Sequence, residues 1–234
     1  MSMYRMDGLC KDYGEGDSRV RALKEVSLEI PAGKFTVVLG ASGSGKSTLL
    51  NMLGCMDRPT SGRILFHEKD ITAYTKKQMM QFRKTTIGFV FQSYNLLPDL
   101  TAAENVEFST ELAGLPRREA IRALEHVGLA ERSAHFPAQL SGGEQQRVSI
   151  ARAIAKQPKV LLCDEPTGAL DYKTGVMVLK VLQQIHKEQG TSILLITHSQ
   201  EIAKIADMVI RLGSGEIIGV TENSTPLSPS EVEW

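Results

Sequence analysis

The stretch GASGSGKST, residues 40–48, combines the residue types that bind phosphate groups in proteins. It follows the apolar run FTVVL at 35–39 and leads into the apolar run TLLNML, which predicts a buried strand, a loop and a helix in that order. Glycines let backbone N–H groups approach an anion without interference from a Cβ, and the helix start adds the positive end of its dipole. We therefore predict that this segment, the phosphate loop, binds the β- and γ-phosphates of a nucleotide; a plain glycine turn is the alternative. The candidate binding residues are Gly40, Ser42, Gly43, Ser44, Gly45, Lys46, Ser47 and Thr48.

Charged and hydroxyl groups in and beyond the phosphate loop could supply the chemistry of phosphoryl transfer. Lys46 adds a fixed positive charge, and the Ser47 hydroxyl is suited to bind Mg²⁺. Two carboxylates, Asp164 and Glu165, directly follow the apolar run VLLC, where they are costly unless they bind a ligand or act in catalysis. We predict that Asp164 belongs to the magnesium shell and that Glu165 polarises the attacking water as a general base. An acidic turn at the end of a strand is the alternative interpretation.

Two more polar residues stand at the ends of apolar runs. Gln92 follows IGFVF at 87–91, and His198 follows SILLI and Thr197. Because parallel strands deliver their carboxyl ends to the ligand crevice, we expect both side chains to lie near the γ-phosphate. The catalytic candidates are therefore Lys46, Gln92, Glu165 and His198, and the magnesium candidates are Ser47, Gln92 and Asp164.

A second anion site is indicated at LSGGE, residues 140–144, which precedes the strong helix pattern QQRVSIARAIA. Ser141 and Glu144 have the spacing of a capping box, so a well-formed helix start is the simple interpretation. Gly142 and Gly143 are unexpected for that purpose, because glycine costs about 1 kcal/mol in a helix. They would instead expose backbone N–H groups at the positive end of the helix dipole, which is an arrangement that binds phosphate.

Alternating apolar runs and helical patterns predict the elements that position these residues. Besides the runs already named, MVIRL at 208–212 is typical of a buried strand, and VSLEI at 26–30 alternates as a half-exposed strand does. A helical pattern covers 174–189 and is followed by Gly190 as a C-cap. This order of elements indicates an α/β fold with a mostly parallel sheet.

We expect one domain that contains an insertion. Residues 99–158 show no convincing strand and open with a capping box at Thr101, which predicts a helical subdomain within an α/β core of residues 1–98 and 159–220. The sequence after Gly215 is polar and contains proline, so the tail, residues 221–234 in particular, is expected to fray.

Composition limits the classes of function. The 234 residues are 42% hydrophobic, which suffices for a sizeable core, and Lys plus Arg balance Asp plus Glu at 27 each, which argues against nucleic acid as the main ligand. The cysteines, Cys10, Cys55 and Cys163, lie far apart and outside any CxxC pair, which argues against disulfides and a zinc site and favours a reducing compartment. Since no leader pattern and no run of about 18 apolar residues is present, we expect a cytoplasmic chain that reaches a membrane only by docking.

The motifs together resemble those of the ABC ATPase family, in the family's order and over nearly the whole chain. GASGSGKST looks like the Walker A loop and LLCDEP like Walker B, while Gln92 and His198 look like the Q-loop glutamine and the switch histidine. LSGGEQQR, the signature segment at 140–147, and GALD at 168–171 resemble the family's signature and D-loop. The resemblance implies the ABC ATPase fold: a P-loop core, an N-terminal antiparallel β part and an inserted helical subdomain. It also implies that Tyr13 stacks on adenine and that Ser141, Gly142, Gly143, Glu144 and Asp171 contact nucleotide.

In the family, the signature segment of one subunit closes over ATP held by the phosphate loop of another. One chain carries one of each, so the resemblance implies a head-to-tail homodimer that forms on ATP binding, hydrolyses MgATP and transmits the change through the helical subdomain and the segment after Gln92. No element of the catalytic set is missing, and an active ATPase is expected.

Within the family, NMLGCMDRPTSG at 51–62 and GFVFQSYNLLPDLTAAENV at 88–106 are most similar to the separate ATPase subunits of the MacB and LolD type. That similarity implies a separate integral membrane permease, an extracytoplasmic adaptor, a position at the cytoplasmic face of the membrane, and export of drugs or peptides or release of lipoproteins. An FtsE-like regulatory ATPase, which transmits conformational change through a membrane partner without transport, is the alternative. Soluble ABC ATPases of DNA repair or translation carry insertions or fused units for which this chain has no room.

Overall fold

Strands and helices alternate along most of the chain in the computed structural model, which describes residues 2–233. The strands are β1 (Ser2–Tyr13), β2 (Val20–Pro31), β3 (Phe35–Leu39), β4 (Ser61–Phe66), β5 (Lys69–Asp70), β6 (Ile87–Val90), β7 (Val160–Asp164), β8 (Ser192–Thr197), β9 (Met208–Gly213) and β10 (Glu216–Glu222). The helices are α1 (Lys46–Leu53), α2 (Lys76–Thr85), α3 (Ala102–Ala113), α4 (Arg118–His126), α5 (Gly142–Ile154), α6 (Tyr172–Gln189) and α7 (Gln200–Ala203).

The central sheet has six strands in the order β10-β9-β3-β8-β7-β6. Its inner strands are parallel, and only β10 pairs antiparallel, at one edge. Every residue of β3 and β8 is buried, because apolar clusters cover both faces of the sheet. Strands covered on both faces need continuous apolar sequence, and the mostly parallel α/β sheet predicted from those runs is confirmed.

A second, antiparallel sheet has the order β2-β1-β4-β5 and lies over α1. Its alternating strands bury one face against the apolar side of that helix, where the Tyr4 hydroxyl donates a hydrogen bond to the Leu53 carbonyl over 3.0 Å. The sequence pattern at 26–30 marked only the last half of β2, which starts at Val20. This longer strand carries residues 20–24 toward the phosphate loop.

The stretch between β6 and β7 is helical, and within the described chain it contains no strand. The predicted capping box at the start of α3 is confirmed, since the Glu104 amide donates to the Thr101 hydroxyl and the Thr101 amide donates to the Glu104 carboxylate. Asn105, which is 1% exposed, accepts from the Leu97 amide and donates to the Leu97 carbonyl. It therefore ties α3 to the segment that follows Gln92.

The prediction that the chain frays after Gly215 is wrong. Residues 216–222 form β10, which extends the central sheet beside β9, and the next residues fold back onto the core, where Val232 is 1% exposed. The sequence concealed this because the anchoring side chains, Leu227 and Val232, are isolated among polar residues and prolines. A segment held by single apolar anchors carries no periodic signal.

Candidate functional site

The phosphate loop connects the buried end of β3 to the start of α1, as predicted. Gly43 and Gly45 have φ angles of 76° and 102°, which lie in the left-handed region that favours glycine. A Cβ on Gly45 would also lie 2.5 Å from the Ala22 carbonyl oxygen, and one on Gly40 would lie 2.3 Å from the Leu212 carbonyl oxygen. The loop is therefore compressed between β2 and β9, and these glycines are required by both conformation and space.

Backbone amides at this loop point to no acceptor within residues 2–233. They belong to Gly43, Gly45, Lys46, Ser47 and Thr48. Helix α1 has no side-chain cap at its first turn, and the buried Ser44 hydroxyl also lacks a partner. Buried or clustered donors without acceptors are unfavourable, so this cradle fits an oxyanion of the size and valence of a phosphate group.

Lys46 brings a buried cation to the same cradle. Its side chain is 6% exposed, and its Nζ donates hydrogen bonds to the carbonyls of Gly40 and Ala41 over 2.8 and 2.9 Å. The nearest carboxylate oxygen, Glu165 Oε1, is 3.9 Å away, beyond hydrogen-bond distance. An ammonium group held by its own loop and lacking a hydrogen-bonded counterion favours an anion beside it.

Asp164 and Glu165 lie at the carboxyl end of β7, next to the phosphate loop. The Ser47 hydroxyl donates to Asp164 Oδ1 over 3.2 Å, so the two predicted magnesium ligands meet. Burial raises the pKa of Asp164, and repulsion from Glu165 adds to the effect, whereas the Ser47 hydrogen bond and Lys46 act in the opposite direction. A bound cation would lower the pKa of Asp164 again, because it favours the ionised form.

Glu165, His198 and Gln92 also come together. His198 Nδ1 lies 3.1 Å from Glu165 Oε2, and the histidine side chain is 66% exposed at the surface of the site. Gln92 lies against Gly168, three residues beyond Glu165, since a Cβ built on that glycine would be 2.8 Å from Gln92 Nε2. Glu165 has a φ of 42°, so its carboxylate is presented from an unfavourable left-handed conformation.

A cleft of about 530 Å³ opens beside the phosphate loop and Glu165, whereas Asp164, Gln92 and His198 do not line it. Tyr13 lines it with a ring that is 41% exposed, held by a hydrogen bond from its hydroxyl to Asp57 Oδ2 over 3.2 Å and by the Lys11 ammonium 4.8 Å from the ring centroid. Sequence reasoning missed the rest of the wall. That wall consists of Val20, Arg21, Ala22 and Lys24 from β2 and of Ser214 and Gly215 from the β9–β10 turn. These residues belong to no motif, and only the path of two distant strands brings them to the cleft.

The signature segment does not line this cleft within a single chain. Ser141 caps α5 and exchanges hydrogen bonds with Glu144, so the capping-box interpretation is confirmed. The Gly142 and Gly143 amides nevertheless find no acceptor in residues 2–233, which leaves two donors at the positive end of a 13-residue helix. These free donors also agree with the predicted second anion site.

Packing gives the two signature glycines an additional role. A Cβ on Gly143 would lie 2.0 Å from Thr174 Cγ2, and one on Gly142 would lie 2.9 Å from the Tyr94 hydroxyl. Thr174 is itself bound through its amide and hydroxyl to Asp171, the N-cap of α6. The starts of α5 and α6 are therefore in direct contact, with Asp171 beside the signature segment.

A groove of about 720 Å³ lies between α2, α3 and α5, on the side of the segment that follows Gln92. Its apolar residues include Phe108, which is 48% exposed, and the stacked rings of Phe89 and Phe91, whose centroids are 5.4 Å apart. Among residues 2–233, no acidic side chain lines it. Its cations are Arg83, Lys84, Arg152 and Lys156, and none of them forms an ion pair within the described chain.

Burial lowers the pKa of Lys156 to about 8, and the neighbouring Arg83 charge acts in the same direction. The lysine donates its only hydrogen bond within residues 2–233 to the Arg83 carbonyl over 2.7 Å. The groove thus combines apolar surface with uncompensated positive charge.

None of the helices formed by residues 2–233 has the length and apolar character required to cross a bilayer. The same residues hold no cluster of three His, Cys, Asp or Glu side chains suited to a metal ion.

Comparison with known proteins gives one consistent result. The model of the ABC transporter family matches residues 23–168. The macrolide export ATP-binding/permease protein MacB of Brucella melitensis is 45% identical over 223 residues, which are 94% of this chain and 34% of that protein. An uncharacterised ABC transporter ATP-binding protein of Thermotoga maritima is 47% identical over 214 residues, which cover 90% of this chain and 91% of that protein.

Among solved structures, a dimeric ATP-binding cassette in a post-hydrolysis state bound to ADP and Pi superposes with a TM-score of 0.87. It is 38% identical and the match covers 94% of this chain and 98% of the other. The matches therefore cover 91% of the Thermotoga maritima protein but about a third of the length of the MacB proteins.

Proposed function

Because this chain belongs to the ABC transporter family, as one of its ATP-binding cassettes, we propose that it hydrolyses MgATP as a head-to-tail homodimer and powers a separate MacB-type permease. The observation that carries the proposal is the cradle of free amides around the buried Lys46 ammonium, which faces the carboxylates of Asp164 and Glu165. This arrangement is suited to holding a γ-phosphate between donors and a base.

Residues in and beside the cleft would have different roles in nucleotide binding. The amides of the phosphate loop and the Lys46 ammonium would hold the β- and γ-phosphate oxygens. To do so, Lys46 would exchange its present hydrogen bonds to the loop carbonyls for hydrogen bonds to the phosphate. Tyr13 offers an exposed ring face to the adenine. Ser47, Asp164 and Gln92 would hold Mg²⁺, which neutralises charge on the phosphate oxygens. The contact of Ser47 with Asp164 and the raised pKa of that carboxyl fit this assignment.

Glu165 is the base in the proposed hydrolysis. Its carboxylate would accept a proton from the attacking water. The nearby His198 ring would orient this carboxylate and form a hydrogen bond to the phosphate. Gln92 lies against the backbone beyond Glu165 and at the start of the segment that leads to the groove. We propose that this contact links occupancy of the cleft to movement of the helical subdomain, residues 99–158.

The signature segment supports a dimer. Its free Gly142 and Gly143 amides do not reach the cleft of their own chain, so a twofold-related copy would supply them, together with Ser141 and Asp171. The related cassette bound to ADP and Pi is dimeric. Two chains would then form two composite sites, with nucleotide at their interface.

We expect Ser141→Arg to abolish turnover without weakening ATP binding to the isolated chain, because arginine blocks the free amides of α5 while the cleft stays intact. Mixing this variant with Lys46→Ala should restore about a quarter of native turnover if the chains pair freely, since half of the dimers then carry one complete site of two. Phosphate release from the separate and mixed variants measures this. Mixtures that stay as inactive as the separate variants would exclude composite sites.

The groove is the proposed contact with the permease. It lies beside the segment that follows Gln92, and its exposed apolar side chains and unpaired cations fit an amphipathic helix that carries carboxylates. Such docking would hold the chain at the cytoplasmic face of the membrane. An extracytoplasmic adaptor and the cargo, whether drug, peptide or lipoprotein, would contact the permease rather than this chain.

Co-purification with the permease encoded beside this chain tests the proposal. Phe108→Asp should lose the permease because it places a carboxylate in the groove, whereas Ile121→Asp on α4, which starts from the same 48% exposure, should retain it. Both purified variants should hydrolyse ATP as the native chain does. Equal recovery of the permease with both variants would contradict the assignment of the groove.

The native pair in lipid then separates transport from regulation. Stimulation of ATP turnover by macrolides, peptides or lipoprotein would support an exporter or release system, whereas turnover indifferent to all three would favour the FtsE-like alternative.

A further inference from the structure

Residues 223–232, which we call the strap, fold back across two segments of the catalytic region. Leu227 donates its amide to the Lys204 carbonyl over 3.1 Å, and the Asn223 side chain donates to the same carbonyl over 3.2 Å. At its other end, the strap accepts a hydrogen bond from the Tyr172 hydroxyl at the Val232 carbonyl, 3.0 Å away. The strap is thus hydrogen-bonded at Tyr172 and at Lys204, which are 32 residues apart in sequence, and also at Asp207, whose carbonyl accepts from the Asn223 amide over 2.8 Å.

One anchor point adjoins a residue of the proposed site, and another ends the short helix that follows such a residue. Tyr172 is the first residue of α6 and follows its N-cap, Asp171. Lys204 is the C-cap of α7, which begins two residues after His198. The strap therefore connects the start of α6, next to Asp171, with the end of α7, which follows His198.

The helix that follows His198 is short. Helix α7 has four residues, and a helix of one turn is not stable without tertiary contacts. The His198 side chain is 66% exposed, so few contacts with other residues fix its position. The end of α7 is held by the buried Ile202 and Ala203 and by the two strap hydrogen bonds at Lys204.

Burial shows that the strap is a built part of the core. Val232 is 1% exposed and joins the larger apolar cluster, Leu227 packs against the same cluster, and Pro229 is buried. The Glu231 carboxylate and the Ser228 amide close a local turn between these anchors over 2.7 Å. Such contacts hold the backbone of the strap in one conformation.

We propose that the strap is a positioning element, which holds His198 and Asp171 in the geometry that hydrolysis requires without contacting the nucleotide. This inference rests on the proposed ATPase function. Because a displacement of about 1 Å at a reacting group can cost up to roughly 10²-fold in rate, loosening the strap lowers turnover. Affinity for ATP stays the same, because the phosphate loop and Tyr13 lie on other elements.

The test uses three full-length variants. Val232→Asp places a carboxylate in the core and detaches the strap, Tyr172→Phe removes one hydrogen bond and keeps the ring, and Ser224→Asp is the control because Ser224 is an exposed strap residue. We expect Val232→Asp to lower kcat about tenfold with KM for ATP unchanged, Tyr172→Phe to lower it less, and Ser224→Asp to match the native chain.

Hydrogen exchange provides a readout that does not depend on activity. Amides of residues 171–176 and 199–206 should exchange faster in Val232→Asp than in Ser224→Asp, while those of β3 and β8 stay protected. If Val232→Asp does not fold, Tyr172→Phe decides by the same two measurements. Native exchange and native kcat in a folded strap variant would overturn the proposal, and so would a parallel loss of kcat, ATP affinity and thermal stability. A native chain that does not hydrolyse ATP would instead refute the proposed function, and the exchange data would still test the strap.

Discussion

The Glu165→Gln chain will bind ATP but hydrolyse it roughly 10²- to 10⁴-fold more slowly than the native chain. The amide cannot accept a proton from water, whereas the phosphate loop, Lys46 and Tyr13 are unchanged by the substitution. In the described chain the lost carboxylate is the one that approaches both His198, at 3.1 Å, and Lys46, at 3.9 Å. Single-turnover phosphate release together with a nucleotide titration measures the two effects separately.

The same variant should accumulate as a nucleotide-bound dimer, because ATP stabilises the closed dimer and hydrolysis no longer removes it. Size-exclusion chromatography with and without saturating MgATP reports this shift. Glu188→Gln at the end of α6 is the matched control, because this carboxylate accepts a single hydrogen bond in the part of the chain that the structure describes, from Gln184. Monomeric elution of Glu165→Gln in MgATP, or turnover equal to that of the control, would contradict the role assigned to this carboxylate.

Lys46→Ala should weaken ATP binding itself by roughly 10- to 100-fold, since a hydrogen bond to a charged group is worth about 1.5–3 kcal/mol. Its ammonium is the cation that lies inside the cradle of free amides, and alanine leaves those amides without it. Isothermal titration calorimetry measures the loss. Lys24→Ala is the control, because Lys24 also lines the cleft but lies outside the phosphate loop, near Glu216.

Folding must be checked for the Lys46 variant, because Gly40 and Ala41 would lose the donor to their carbonyls. That loss costs about 1–3 kcal/mol if the carbonyls stay buried, which thermal unfolding would detect. Unchanged affinity in a folded Lys46→Ala protein would remove this lysine from the site. Equal losses in both lysine variants would indicate a general electrostatic effect of the cleft.

The parts of the site that could be predicted are those written in one stretch of sequence or at the ends of strands. The phosphate loop is contiguous, and its flanking strand and helix are unmistakable in the apolar pattern. Asp164 and His198 are 34 residues apart, but both follow apolar runs, and the rule that parallel strands end at a common edge brings them together. The rule needs no knowledge of side-chain contacts, which is why it succeeded.

What could not be predicted depends on tertiary packing between segments without a motif. Ala22 approaches the phosphate loop because β2 is longer than its alternating half indicates. Gly143 was interpreted through its amide alone, although the missing Cβ also lets Thr174 approach. Val232 is a single apolar residue in a polar tail, so only the fold reveals that it is buried.

The contact of Gly143 with Thr174 has a mechanical consequence. With 2.0 Å between a notional Cβ and the threonine methyl, the start of α5 and the start of α6 have no room to slide past each other. The signature amides and Asp171 must then travel as one rigid body. In a twofold dimer, this body would face the nucleotide bound to the neighbouring chain. When the signature amides move toward that nucleotide, Asp171 must move with them. Engagement across the interface is then concerted, and residues 143 and 174 can change size during evolution only as a compensating pair.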